Sequence, residues 1–129
     1  MASVFTKILS HELPSYKLYE DEHTLAILAL NQIQLGHTLI ISKREENHFF
    51  DLNDVEYTAL MNTTKKLAKA IKKATGCNRV CTFFQGFEVQ HVHHHLVPTQ
   101  SSKDFNLAVQ TPRSVEDMKS IQAKIIDAL

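Results

Sequence analysis

Val89-Gln90-His91-Val92-His93-His94-His95-Leu96-Val97 places four histidines in five consecutive positions, from 91 to 95. Its alternation and apolar flanks predict a β-strand over 89–97. On a strand, successive side chains face opposite ways, so His91, His93 and His95 share one face, ~6.6 Å apart at successive Cα positions. Val92, His94 and Leu96 take the other face. A buried His94 there needs a hydrogen-bond partner, which the helix side of the core can supply.

The surrounding elements follow from local patterns. Arg79–Phe84 reads as a strand that meets the histidine strand across Gln85-Gly86. Gly36-His37 opens Thr38–Ser42, a third clear strand. Tyr16–Tyr19 and Thr24–Leu28 form a hairpin around Glu20-Asp-Glu-His23. A short helix or turn precedes them. Asn53 with Glu56 makes a capping-box pattern before a helix reaching residue 75. Its stripe is Leu60, Thr64, Leu67, Ala68 and Ile71, and Gly76 stops it. Its lysines read as a solvated face. Ser114 with Asp117 starts a last helix with the stripe Val115, Met118, Ile121 (or Gln122) and Ile125. Strands in clusters, rather than strictly alternating with helices, give an α+β class: one domain over 1–129, with a largely antiparallel five-stranded sheet and two main helices.

Composition narrows the function. The chain has 129 residues, with 14 basic and 14 acidic ones, so it is neutral apart from its histidines. That balance argues against a general nucleic-acid binder or an anionic-membrane binder. The longest apolar run, Leu25–Leu30, is too short to span a bilayer. Cys77 and Cys81 lie roughly 13 Å apart if extended, too far to bridge. Reduced thiols fit a cytoplasmic protein. His11, His23 and His48 lack companions and read as surface residues.

Three chemistries remain open for the clustered imidazoles. They can be incidental. They can supply metal nitrogens at an open catalytic site, although neither Cys-x-x-Cys nor His-Glu-x-x-His accompanies them. Or they can attack phosphorus: one neutral imidazole is the nucleophile, and its neighbours donate to phosphate oxygens and fix its tautomer.

Three segments resemble the histidine triad (HIT) family. His91-Val-His-His-His-Leu-Val97, followed by Pro98, is similar to its signature of three alternating histidines. Gly36-His-Thr-Leu-Ile-Ile-Ser-Lys43 is similar to its Gly-His-Thr-Leu-Val-Ile-Pro-Lys. Phe5–Asp21 resembles the N-terminus of small bacterial Hint-like members. The resemblance implies a HIT-like fold, a homodimer, and a metal-independent nucleotidyl hydrolase or transferase with no cofactor. Its substrates would be purine nucleotides: nucleoside phosphoramidates or dinucleoside polyphosphates. It implies His93 as nucleophile, His95 on the phosphate, and His91 and His37 in support. Asn31, His95, Phe87, Glu88 and Val89 fall on the nucleotide side.

The departures are specific. Ala29 stands where the family has an aspartate that binds the ribose hydroxyls. Gly86-Phe-Glu-Val89 replaces Gly-Gln-x-Val, and the loop before it is short. Ser3 and Thr6 occupy the positions of the Cys-x-x-Cys zinc pair that some members carry. Ala29, Phe87 and the short loop motivate one alternative, a catalytically weak HIT-fold nucleotide-binding protein. The histidine cluster itself leaves another, a metal-dependent enzyme built on the same histidines, although Ser3 and Thr6 argue against a structural zinc.

Overall fold

A computed structural model describes residues 2–129. The chain runs α1 (Val4–Leu9), β1 (Lys17–Glu20), β2 (Thr24–Leu28), β3 (Asn31–Gln32), β4 (Thr38–Ser42), α2 (Asp54–Thr75), β5 (Arg79–Phe84), β6 (His93–Thr99), β7 (Thr111–Pro112) and α3 (Val115–Ala128), with short 3-10 turns at Phe49–Asp51 and Ser102–Asp104. Five strands form one antiparallel sheet in the order β1-β2-β4-β6-β5. The class expected from the sequence, α+β with a five-stranded antiparallel sheet and two main helices, is the one observed.

Register decides what each sheet face carries. Ala26, Ile40, His94 and Phe84 are laterally paired and share one face; Leu25, Ile41 and His93, and likewise Ile27, Leu39, His95 and Phe83, share the other. The first face packs under α2 and α3. Ala26, Leu28, Ile40 and Leu96 meet Leu60, Leu67, Ile71, Met118, Ile121 and Ile125 in one buried cluster. The second face packs Leu25, Ile27, Leu39 and Ile41 against Phe5, with Ile8 and Leu9 of α1 at the margin.

The helix ends behave as their sequences require. Asn53 accepts from the Glu56 amide, and the Glu56 side chain accepts from the Asn53 amide. This reciprocal cap stabilises a helix start by about 1 kcal/mol. Gly76 closes α2 with φ +69°, a left-handed conformation that a Cβ disfavours.

The structure corrects several expectations. The histidine strand begins at His93, not Val89. Val92 is held instead by the end of β4 and the segment after it: its amide donates to the Glu46 carbonyl, and the Ser42 amide donates to its carbonyl. His91 is thus outside the strand that carries His93 and His95. Val115 is exposed, since it sits in the first turn of α3, and Ala68 is only half-buried. His23 is half-buried, whereas His11 and His48 are exposed. Cys77 and Cys81 are free thiols, the first buried. The β3–β7 ribbon pairs only Asn31 with Pro112 and Gln32 with Thr111, too short to leave a periodic signal. Among the described residues, no helix is long and apolar enough to cross a membrane.

Candidate functional site

The second sheet face gathers the imidazoles. β6 supplies His93 and His95, whose ring centroids lie 4.8 Å apart. The segment before β6 supplies His91, and the turn before β4 supplies His37. Phe5 of α1 lies edge-on to both His91 and His93, at 5.7 and 4.8 Å between centroids. Phe83 of β5 stacks on His95 at 4.1 Å. The sheet and two aromatic rings thus form a dry wall around these histidines.

Hydrogen-bond partners assign the proton on each of His37, His91, His93 and His95, because carbonyls only accept and amides only donate. The Ile33 amide donates to His37 Nδ1 at 3.1 Å. His37 Nε2 therefore carries a hydrogen and donates it to His95 Nδ1 at 2.9 Å. His95 must then carry its own hydrogen on Nε2, which is buried and has no partner. In the other branch, His91 Nε2–H donates to the Ser42 carbonyl at 2.6 Å, so His91 Nδ1 accepts from the Ser3 hydroxyl at 2.6 Å. His93 Nδ1–H donates to the His91 carbonyl at 2.6 Å. His93 Nε2 is left with a free lone pair. One ring presents a nucleophilic nitrogen, and its neighbour presents an uncommitted N–H.

All of these rings are held neutral. Burial, aided by mutual repulsion with His93, lowers His37 to about 4. Burial followed by repulsion from His93, His37 and His94 lowers His95 to about 2. Burial also lowers His91 and His93; for His93 the hydrogen bond to the His91 carbonyl and the charge of Glu88 oppose it. A neutral His93 keeps its lone pair at pH 7.

His37 is set by a turn that sequence reading missed. Gln32 is fully buried and donates to the carbonyls of Ala29 and His37, at 2.7 and 2.8 Å. Its Oε1 accepts from the Gly36 amide at 2.7 Å. Gly36 has φ +108°, and a Cβ there would meet Pro98 Cγ at 3.3 Å. The glycine before His37 is therefore required by backbone conformation and by close packing.

The remaining expected residues divide. Val89 packs at the edge of the apolar cluster around Phe5. Glu88 is exposed, and its charge reaches His93. Phe87 stands in solvent, 87% exposed. Asn31 is exposed on the β3–β7 ribbon. Ala29 is buried among Phe5, Ile27 and Leu39, an apolar wall where the resemblance places an acid. An apolar cavity of about 450 Å³ opens beyond α1, lined by Val4, Ile8, Tyr16 and Leu30 among others. His94 faces the helices, as expected: Thr64 of α2 meets its Nδ1 at 2.9 Å, Thr82 of β5 meets its Nε2 at 2.7 Å, and Phe84 stacks on it.

Ser3 and Thr6, at the positions of a zinc-binding cysteine pair in some proteins, are hydroxyls already committed to Glu45 and His91. That donor set does not suit zinc, which selects thiolate and imidazole. Among the described residues, no three His, Cys, Asp or Glu side chains are grouped to hold a metal ion.

Comparison with known proteins gives the family and the fold. The HIT domain family model matches residues 10–102. The chain is 36% identical to the adenosine 5′-monophosphoramidase of Saccharomyces cerevisiae over 93% of this chain and 76% of that one. It is 31% identical to the protein hit of Bacillus subtilis, over 98% and 93% of the two chains. Among solved structures, a Hit-like protein from Bartonella henselae superposes with a TM-score of 0.87 at 25% identity, covering 98% of this chain and 96% of that chain.

Proposed function

Because this chain belongs to the histidine triad (HIT) family, we propose that it is a nucleotidyl hydrolase that cleaves purine nucleoside phosphoramidates or dinucleoside polyphosphates through a nucleotidyl-histidine. The observation that carries this reading is the pairing of opposite tautomers. His93 Nε2 offers a lone pair while His95 Nε2 offers an unpartnered N–H. Nucleophile and oxyanion donor stand on neighbouring rings of one strand.

The chemistry follows from those two atoms. His93 Nε2 attacks the α-phosphorus, and the P–Nε2 bond forms as the bond to the leaving group breaks. A leaving amine takes a proton from solvent water as it departs, balanced by the proton that the attacking water gives up in the second step, and a leaving nucleotide phosphate departs as its anion. Charge developing on the His93 ring is met by the His91 carbonyl, which accepts from Nδ1–H. Charge developing on the phosphoryl oxygen is met by His95 Nε2–H, which no protein group competes for. Water then attacks the adduct, releases the nucleotide and restores neutral His93. His37 supports His95, and His91 supports His93. Val89 and Glu88 border the phosphates, and Asn31 lies on the nucleoside side. No step calls on a metal ion or other cofactor.

A homodimer fits the same reading. β5 forms an outer edge of the sheet, and its outward amides and carbonyls can pair with a symmetric copy. Phe83 on that strand stacks on His95, so dimer formation would buttress the site.

A second reading is favoured by two observations. The Ala29 side chain has no acceptor for ribose hydroxyls, and Phe87 stands in solvent. These features suit a HIT-fold nucleotide-binding protein with little turnover. The test is a turnover assay on an adenosine phosphoramidate and a dinucleoside polyphosphate, beside calorimetry with AMP and GMP. Turnover abolished by His93→Ala supports the hydrolase; tight binding without turnover in the unaltered protein supports the alternative.

A further inference from the structure

We infer that Ser3, Thr6 and Glu45 form a hydrogen-bonded clasp whose task is to position His91 and, through its carbonyl, the reacting ring of His93. The inference rests on His93 being the nucleophile. Each link is short. Glu45 Oε1 accepts from the Ser3 amide and from the Thr6 hydroxyl, both at 2.7 Å. Ser3 Oγ caps α1 by accepting from the Thr6 amide at 3.1 Å. Its own hydrogen goes to His91 Nδ1 at 2.6 Å, a far better partner than Thr6 Oγ1 at 3.4 Å. The opposite nitrogen of His91 donates to the Ser42 carbonyl. The ring is therefore pinned at both ends, and so is the backbone carbonyl that holds His93 Nδ1–H.

The clasp has a rigid seat. Glu45 is flanked by Arg44, which grips Glu56 of α2 with two hydrogen bonds of 2.7 and 2.9 Å. On its other side Glu46 accepts from the Val92 amide at 2.8 Å. The carboxylate stays ionised, since the Ser3 amide and the Thr6 hydroxyl hold it well below the usual range, at about 2. His91 Nδ1 lies 3.9 Å from that carboxylate. Two segments far apart in sequence, 3–6 and 42–46, thus converge on a ring whose two nitrogens are both engaged. A hydroxyl–carboxylate clasp performs this fastening with two hydroxyls, one carboxylate and the backbone groups beside them, and it also explains why α1 lies with Phe5 against both histidines.

Ser3, Thr6 and Glu45 are positioning residues, and the test must read position as well as rate. Ser3→Ala, Glu45→Ala and Glu45→Gln are compared with the unaltered protein by kcat and KM and by heteronuclear NMR of the imidazole nitrogens without substrate. Ser3→Ala and Glu45→Ala should each lower kcat about tenfold, with KM changed less, since Ser3→Ala removes the hydrogen bond to the His91 ring and Glu45→Ala removes the two that hold Ser3 and Thr6 in place. The His93 ring should lose its single Nδ1–H form and show both tautomers. Glu45→Gln keeps an accepting oxygen and should restore both signals most of the way. If Ser3→Ala fails to fold, the exposed Glu45 carries the test alone. An unchanged His93 tautomer and kcat in Glu45→Ala, with turnover still abolished by His93→Ala, overturns the clasp and leaves the nucleophile standing. Should the unaltered protein turn over neither substrate, the nucleophile reading falls, and the ring spectra still decide whether the clasp sets the tautomer.

Discussion

His37 and His95 face each other nitrogen to nitrogen, 2.9 Å from His37 Nε2 to His95 Nδ1. The bond has one direction only, because the Ile33 amide already occupies His37 Nδ1 as a donor. A backbone amide in the turn before β4 therefore dictates where the proton sits on a ring of β6. His37→Ala removes that direction and frees His95 to carry its proton on either nitrogen. We expect kcat/KM to fall about tenfold or more, the loss of one oriented hydrogen bond. Steady-state kinetics on an adenosine phosphoramidate checks this; an unchanged kcat/KM would mean that His37 has no part in holding His95.

His94 gives a prediction about stability rather than rate. Both its nitrogens meet threonine hydroxyls in the core. Thr64→Val strands a buried ring nitrogen and should destabilise the fold by about 1–3 kcal/mol. His94→Leu combined with Thr64→Val removes both partners and should cost less than the sum of the two single changes. Denaturant unfolding measures all three; strict additivity would count against the bond.

Much of this was legible in the sequence, and the exceptions share a cause. β4, α2 and β5 follow from period, cap and turn residues, which act within a few positions. Thr38–Ser42 and Arg79–Phe84 have the expected bounds, and Asn53 caps α2 as its pattern required. Alternation placed His93 and His95 together and turned His94 to the helices. Alternation misplaced the start of β6, because Val92 makes its backbone hydrogen bonds to Ser42 and Glu46, a tertiary choice with no local signature. The link from Ser3 and Glu45 to His91 was invisible for the same reason, since it spans 88 positions of chain from Ser3 and is set by tertiary packing. Gln32, lone and polar among apolar neighbours, did carry a signal, since a buried amide has to be satisfied.

Acid should unfold this protein through its histidines. His37 and His94 are held at about 4 and His95 at about 2 by burial, below the ordinary value of 6.5. The unfolded chain therefore binds more protons than the folded one below pH 6.5, and stability falls as the pH drops toward 4. Each buried ring contributes up to about 1.4 kcal/mol per pH unit in that window. Denaturant midpoints from pH 7 to pH 5 should decline, and less steeply in His94→Leu. A flat profile would contradict neutral burial of these rings.

Ala29 offers a gain-of-function test. The position lies in the wall beside Phe5, where a carboxylate is placed by the resemblance to bind ribose. Ala29→Asp should tighten AMP binding about tenfold, the worth of a charge-assisted hydrogen bond, while lowering stability because the side chain enters an apolar cluster. Calorimetry reads the first and thermal unfolding the second. Unchanged affinity in a folded variant would place the ribose elsewhere.

The covalent intermediate on His93 is tested most directly by stereochemistry at phosphorus. A substrate chiral at the transferred α-phosphorus, hydrolysed in heavy-oxygen water, reports how many in-line displacements occur. Attack by His93 Nε2 followed by attack of water inverts the centre twice, so the expected product retains configuration. Net inversion would mean that water attacks the substrate directly, and His93 would not be the nucleophile.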